Sequence, residues 1–192
     1  GFNMPIEIIN RLEKMIEYAS FIIKPDGSIP KIGDNDSGRT YKLSEADENK
    51  RGYYLCAGAI LFDRDDLKKQ MPKFSEEAFW LLGENALKKF NELVPNSELT
   101  MSKYFEHTGF GIFRDGLEKN NTHLVFRGGP TKIRKNVSTS HNHADFLSLE
   151  LYTKGFSIFK DPGTFLYSFD DRWRFYYRKT FSHNTVTIDD LD

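Results

Sequence analysis

The feature that constrains this chain most is a change of hydrophobic period near residue 100. Upstream, apolar side chains recur at helical spacing; downstream they alternate or form short runs, as strands do. Residues 5–23 carry a stripe of Ile8, Leu12, Met15, Ile16, Ala19, Ile22 and Ile23. Pro5 suits a first turn, and Lys24-Pro25-Asp26-Gly27 supplies a stop. Tyr53 to Phe62 reads as a second, strongly buried helix, with Gly58 allowing close packing. Ser75 reads as the N-cap of a third, with Glu76 and Glu77 in its first turn and a stripe of Phe79, Leu82, Ala86, Phe90 and Leu93. Strands are predicted at Phe110–Phe113, His123–Phe126, Phe146–Tyr152, Phe156–Phe159 and Thr180–Ile188, with Lys154-Gly155 as a tight hairpin. Helices first and strands afterwards predict an α+β chain of two segregated parts, 1–98 and 99–192, and not an alternating α/β fold.

Composition narrows the function classes. A chain of 192 residues can bury a working core, and its net charge of −1 excludes a bulk electrostatic case for nucleic acid. No apolar run approaches the roughly 18 residues of a membrane span, so no membrane insertion is expected. The single cysteine, Cys56, lies in an apolar run and reads as a buried small hydrophobe. The chain begins almost directly with a helix and stops just after a predicted strand, so both ends read as cut edges of a larger protein.

Polar chemistry concentrates between His141 and Asn184. Read as a strand, residues 141–151 place His141 and His143 on one face, roughly 6.5–7 Å apart, with Leu147, Leu149 and Leu151 continuing that face into a core. His143, Asp161 and His183 fall on three predicted strands. Two imidazoles and a carboxylate form a zinc ligand set with a fourth position open; the same residues also fit hydrogen-bonded core positions. His107 and His123 lack such company and read as ordinary strand residues. Arg172-Trp173-Arg174-Phe175-Tyr176-Tyr177-Arg178-Lys179 interleaves cations with aromatic rings. That pattern suits an anionic sugar chain, and equally an amphipathic edge strand. Gly33-Asp34-Asn35-Asp36-Ser37-Gly38-Arg39 departs from the EF-hand spacing and reads as a solvated turn.

Several ordered motifs together carry a resemblance: His141-Asn142-His143-Ala144-Asp145, Lys160-Asp161-Pro162-Gly163-Thr164, Tyr176-Tyr177-Arg178 and Ser182-His183-Asn184-Thr185-Val186. With Pro25-Asp26-Gly27-Ser28-Ile29-Pro30 and the Gly33–Arg39 stretch, this set resembles the heparinase II/III-like polysaccharide lyases over nearly the whole chain. The resemblance implies the last helices of an incomplete (α/α) toroid over 1–98 and the first strands of an antiparallel β-sandwich over 99–192. It implies cleavage of a uronic-acid polysaccharide, such as a glycosaminoglycan, by β-elimination in the periplasm or outside the cell. By motif position, His141 matches the catalytic histidine of the sandwich. His143, Asp161 and His183 match the holders of a mainly structural zinc ion, and Arg39, Arg174 and Arg178 are candidate contacts to the acidic polysaccharide. The family's toroid tyrosine and its carboxylate-facing Asn or His have no motif here, which predicts that residues 1–192 alone are inactive or nearly so.

Two other readings compete. A cupin-type metal site would place a Glu three or four residues after the second His, where Phe146-Leu147-Ser148 stands and Glu150 comes too late. A non-catalytic carbohydrate-binding protein, or one serving polysaccharide biosynthesis or export, has the same motifs and stays open.

Overall fold

The computed structural model describes residues 4–35, 43–44, 52–129, 141–165 and 170–189. It forms two compact units, Gly1–Ile29 with Thr40–Thr100, and Pro30–Arg39 with Met101–Asp192. The segment Pro30–Arg39, which periodicity alone leaves with the helices, thus clusters with the strands.

The first unit holds α1 (Ile6–Ile22), α2 (Tyr53–Phe62), α3 (Asp65–Gln70), α4 (Glu76–Leu82) and α5 (Asn85–Glu92). Its centre is α2, where five consecutive residues, Leu55 to Ala59, are buried. Such a run cannot come from one apolar stripe; the helix is covered on more than one side. Leu55 and Ala59 pack with Ile16 and Leu67, while Cys56 and Ala57 pack with Ala78 and Phe90. Gly58 allows the close approach of α1, because a Cβ there would stand 2.5 Å from Ile16 Cγ2. The short α3 escapes a period argument, since it offers only Leu67 to the core. Lys68 on α3 donates to the carbonyls of Phe90 and Leu93 at 2.5 and 2.7 Å, covering the end of α5. Ser75 caps α4 by accepting from the Ala78 amide at 3.2 Å. The stripe expected to make one helix of Phe79 to Leu93 is broken at Gly83, with φ +81°, into α4 and α5.

The second unit is a five-stranded antiparallel meander: β1 (Lys103–Phe105), β2 (Phe110–Arg114), β3 (His123–Arg127), β4 (Leu149–Thr153) and β5 (Phe156–Phe159), paired in chain order. Its buried face carries the cross-strand rows Ile112, Val125, Glu150 and Arg114, His123, Tyr152. This face is half polar, and burial pulls the Arg114 guanidinium down to about 10. The β4–β5 hairpin turns at Lys154 and Gly155, both at positive φ. The helices-then-antiparallel-strands order is the one the period change predicts.

Two strand expectations fail in this unit, and the segment left open between a sugar-facing surface and an edge strand is neither edge nor strand. The segment 141–148 is irregular, because Leu147 adopts φ +60° and its amide bonds the Arg127 carbonyl at 2.8 Å; β4 therefore starts only at Leu149. Thr180–Ser182 is a 3₁₀ turn, and the strand expected over Thr180–Ile188 is absent. Asp171–Arg178 is a helix, α6, although its aromatic residues favour strands. The Asp170 carboxylate caps it by accepting from the Arg172 amide at 3.0 Å, and i, i+4 spacing puts Arg174 and Arg178 on one side.

Substitutions in each unit test these interiors. Leu67→Ala, at a fully buried position, is expected to cost about 2–5 kcal/mol in urea unfolding, against about 0.5 kcal/mol or less for Leu87→Ala at 46% exposure. In the sheet unit, Asp145 is 1% exposed and ion-paired to Arg127. Arg127→Ala is expected to cost about 3–5 kcal/mol by stranding that carboxylate, and the double change Arg127→Met/Asp145→Leu to recover most of it.

Candidate metal and catalytic site

The site starts with Gly33, Asp34 and Asn35, which lie along the irregular segment that opens at His141. The Asp34 amide donates to the His141 carbonyl at 2.9 Å. Gly33 has φ +65°, and a Cβ there would stand 2.7 Å from the same carbonyl oxygen, so the approach requires glycine. Thr164 fixes the other side, accepting from the Asn35 amide at 2.9 Å and donating to the Gly33 carbonyl at 3.4 Å.

That approach delivers the Asp34 carboxylate, whose side chain is 0% exposed, to three partners. Oδ1 meets His143 Nε2 at 3.1 Å; Oδ2 meets His141 Nδ1 at 3.3 Å and an Arg174 terminal nitrogen at 2.5 Å. Burial opposes its ionisation, but the hydrogen bonds from Arg174 and His143 outweigh that cost and hold the carboxyl below its ordinary range. The expectation of a solvated turn at Asp34 is therefore corrected. His141 and His143 converge as the sequence suggested, but through a shared carboxylate and not through the pleat of a strand.

Beside this carboxylate, His143, Asp161 and His183 are all buried and offer ligand atoms within 4.8 Å of one another. His183 Nδ1 meets Asp161 Oδ2 at 2.9 Å, and the two imidazole rings stand 5.2 Å apart. Asp161 is held by its neighbours: its amide donates to Glu150 at 3.0 Å, and its Oδ1 accepts from the Gly163 amide at 2.9 Å. His143 Nδ1 and His183 Nε2 are buried with no hydrogen-bond partner among the described residues. Such a nitrogen costs about 1–3 kcal/mol unless something fills its place. Burial, opposed by the Asp34 bond, holds His143 below the ordinary imidazole range and keeps it in the neutral form that binds metals. The donor set and its two unsatisfied nitrogens fit a zinc ion. None of the three residues lies on a strand, contrary to the sequence reading, yet the three come together.

Helix α6 holds the 141–144 segment from outside. The Ala144 amide donates to the Arg178 carbonyl at 2.9 Å, and the Arg178 guanidinium donates to the Asn142 carbonyl at 3.2 and 3.1 Å. Arg174 and Arg178, read as substrate contacts, are thus both engaged with this segment or with Asp34. Arg39, the third, lies outside the described residues. His141 itself is 57% exposed at its side chain. Around α6, the rings of Phe165, Trp173, Tyr176 and Phe181 form a chain of edge contacts with centroids 5.0–6.1 Å apart, each ring about half exposed or more. Of the two other histidines expected in strands, His123 is buried in β3 and His107 lies in the turn before β2. The residue whose role sequence reasoning missed is Asp34, which entered only as part of the Gly33–Arg39 stretch.

Comparison with known proteins shows the family of the chain. The family model described as "Heparinase II/III-like, C-terminal" matches residues 97–192. The heparin-sulfate lyase of Pedobacter heparinus is 25% identical over 189 residues, covering 96% of this chain and 24% of its own length. That of Bacteroides stercoris is 25% identical over 187 residues, with 96% and 23% covered. Among solved structures, the heparan sulfate lyase of Pedobacter heparinus superposes with a TM-score of 0.67 at 24% identity, covering 98% of this chain and 25% of that one. A heparinase III superposes at 0.58 with 20% identity, over 98% and 27%. The chain therefore spans about a quarter of the length of the curated relatives it matches. The matched half contains His141, His143, Asp161, Arg174, Arg178 and His183, and the chain belongs to the heparinase II/III-like family.

Proposed function

We propose that this chain supplies one wall of the active site of a lyase that cleaves a uronic-acid-containing anionic polysaccharide by β-elimination, outside the cytoplasm. The observation that carries the reading is one exposed imidazole, His141, fixed by a buried carboxylate beside a buried two-histidine, one-aspartate cluster. The relatives' names point to a substrate of the heparan sulfate class. The aromatic chain around α6 offers faces on which sugar rings stack, and its cations suit an acidic sugar.

The chemical difficulty is the weak acidity of the C5 proton of a uronate. Its removal leaves an electron pair that forms the C4=C5 bond as the C4–O bond breaks, and the departing oxygen takes up a proton. His141, held through Nδ1, is assigned to proton transfer at Nε2 in that sequence. Neutralising the uronate carboxylate lowers the energy of the enolate-like transition state. Arg174 and Arg178 would add to that positive surrounding while still anchored to Asp34 and Asn142. His143, Asp161 and His183 would hold zinc, which when bound supplies cross-linking between the chain segments that carry them.

A second reading, a carbohydrate-binding or polysaccharide biosynthesis or export protein, gains from one observation: both described arginines of the site already have internal partners.

The two readings separate in the natural polypeptide that carries this chain. His141→Ala is expected to lower release of unsaturated uronate, read by ultraviolet absorbance, by about 100-fold or more while polysaccharide binding persists. Unchanged cleavage would remove His141 from the mechanism; binding without any cleavage by the unaltered protein favours the second reading. Metal analysis of the purified 192-residue chain is expected to find zinc near one equivalent. His143→Ala and His183→Ala should each abolish it, and chelation should lower the thermal midpoint.

A further inference from the structure

We propose that Asp34 is a positioning residue that sets the tautomers of two imidazoles at once, aiming His143 at the metal and His141 at the substrate. This rests on the assignment of His143 as a ligand and His141 as the proton-transfer residue.

Arg174 stands 2.5 Å from Oδ2 and supplies the countercharge that an unexposed carboxylate needs to stay ionised. An ionised carboxylate only accepts hydrogen bonds, so each ring nitrogen that faces it carries the proton. His143 turns Nε2 to Asp34 and His141 turns Nδ1. For neutral imidazoles this leaves the lone pair on Nδ1 of His143 and on Nε2 of His141. The first of these is one of the two buried nitrogens with no partner among the described residues, which is where a metal ligand should present its lone pair. The second is the nitrogen assigned to proton transfer. One side chain thereby couples metal binding to the presentation of the reactive histidine. Its own position is over-determined by the Asp34 amide bond to His141, by the close fit of Gly33 and by Thr164.

Asp34→Asn keeps the shape of the side chain but offers one acceptor and one donor. Whichever histidine meets the amide nitrogen must then present a lone pair, reversing its tautomer. Imidazole nitrogen NMR of the metal-free 192-residue chain is expected to show His141 protonated at Nδ1 and His143 at Nε2. In Asp34→Asn at least one of the two should reverse, and zinc affinity, measured by competition with a chelator, should fall about 10–100-fold. In the natural polypeptide, Asp34→Asn should lower kcat with little change in KM. Either wild-type tautomer in the opposite form would overturn the proposal, and needs no variant to fold. So would an Asp34→Asn protein with both tautomers and zinc affinity unchanged. The lyase reading fails separately: the tautomers and zinc affinity respond as expected, yet the unaltered natural polypeptide cleaves no uronate polysaccharide.

Discussion

The structure around the candidate site depends on a carboxylate buried without exposure. Taking such a group out of water costs several kcal/mol even after relaxation, and only close, well-directed partners offset that. Asp34 has three, each on a different part of the chain's chemistry: a guanidinium from α6, the exposed His141 and the buried His143. Remove the carboxylate and Arg174 loses a counterion, while both imidazoles lose a hydrogen-bond partner. Irregular backbone at a functional site usually carries this burden, because regular pleats and helices rarely bring three polar groups to one atom pair.

Regular elements act one step back from this point. The buried face of the sheet is half polar, and Glu150 on β4 reaches the Asp161 amide, so the cluster of His143, Asp161 and His183 is tied to the sheet. Arg127, at the end of β3, holds Asp145 and pairs through its backbone with Leu147 and Ser148. The segment from His141 to Ser148 is thereby pinned at one end by the sheet and at the other by α6. The helical unit solves a different problem with α2, a short helix whose small residues let its neighbours close in on more than one side.

Elements with a strong local signature were legible in the sequence. Tyr53–Phe62 is helical over the residues that hydrophobicity marks, and β2, β3 and β5 fall where alternation puts them. His143, Asp161 and His183 were legible as a set from residue type and order. What failed were inferences in which tertiary contact overrides local preference. The interleaved cations and rings over 172–179 left an edge strand open, where a capped helix forms and turns Arg174 to Asp34 and Arg178 to Asn142. Leu147 at positive φ ends a strand that the alternation of Leu147, Leu149 and Leu151 would extend. Asp34 was beyond reach for a simpler reason: its partners lie 107, 109 and 140 residues away, and no local pattern encodes such a meeting.

That separation has a kinetic consequence. Every pairing in the β1–β5 meander joins strands that are successive in the chain, so the sheet can form through short closures. The Asp34 contacts require closure over more than a hundred residues, part of which fold as α2 to α5, and a large closure entropy must be met before any contact repays it. The scaffold can therefore be complete before the site is. A polypeptide with native strands and helices but Gly33 and Asp34 not yet docked would hold all the residues of the cluster with two imidazoles still without their shared carboxylate.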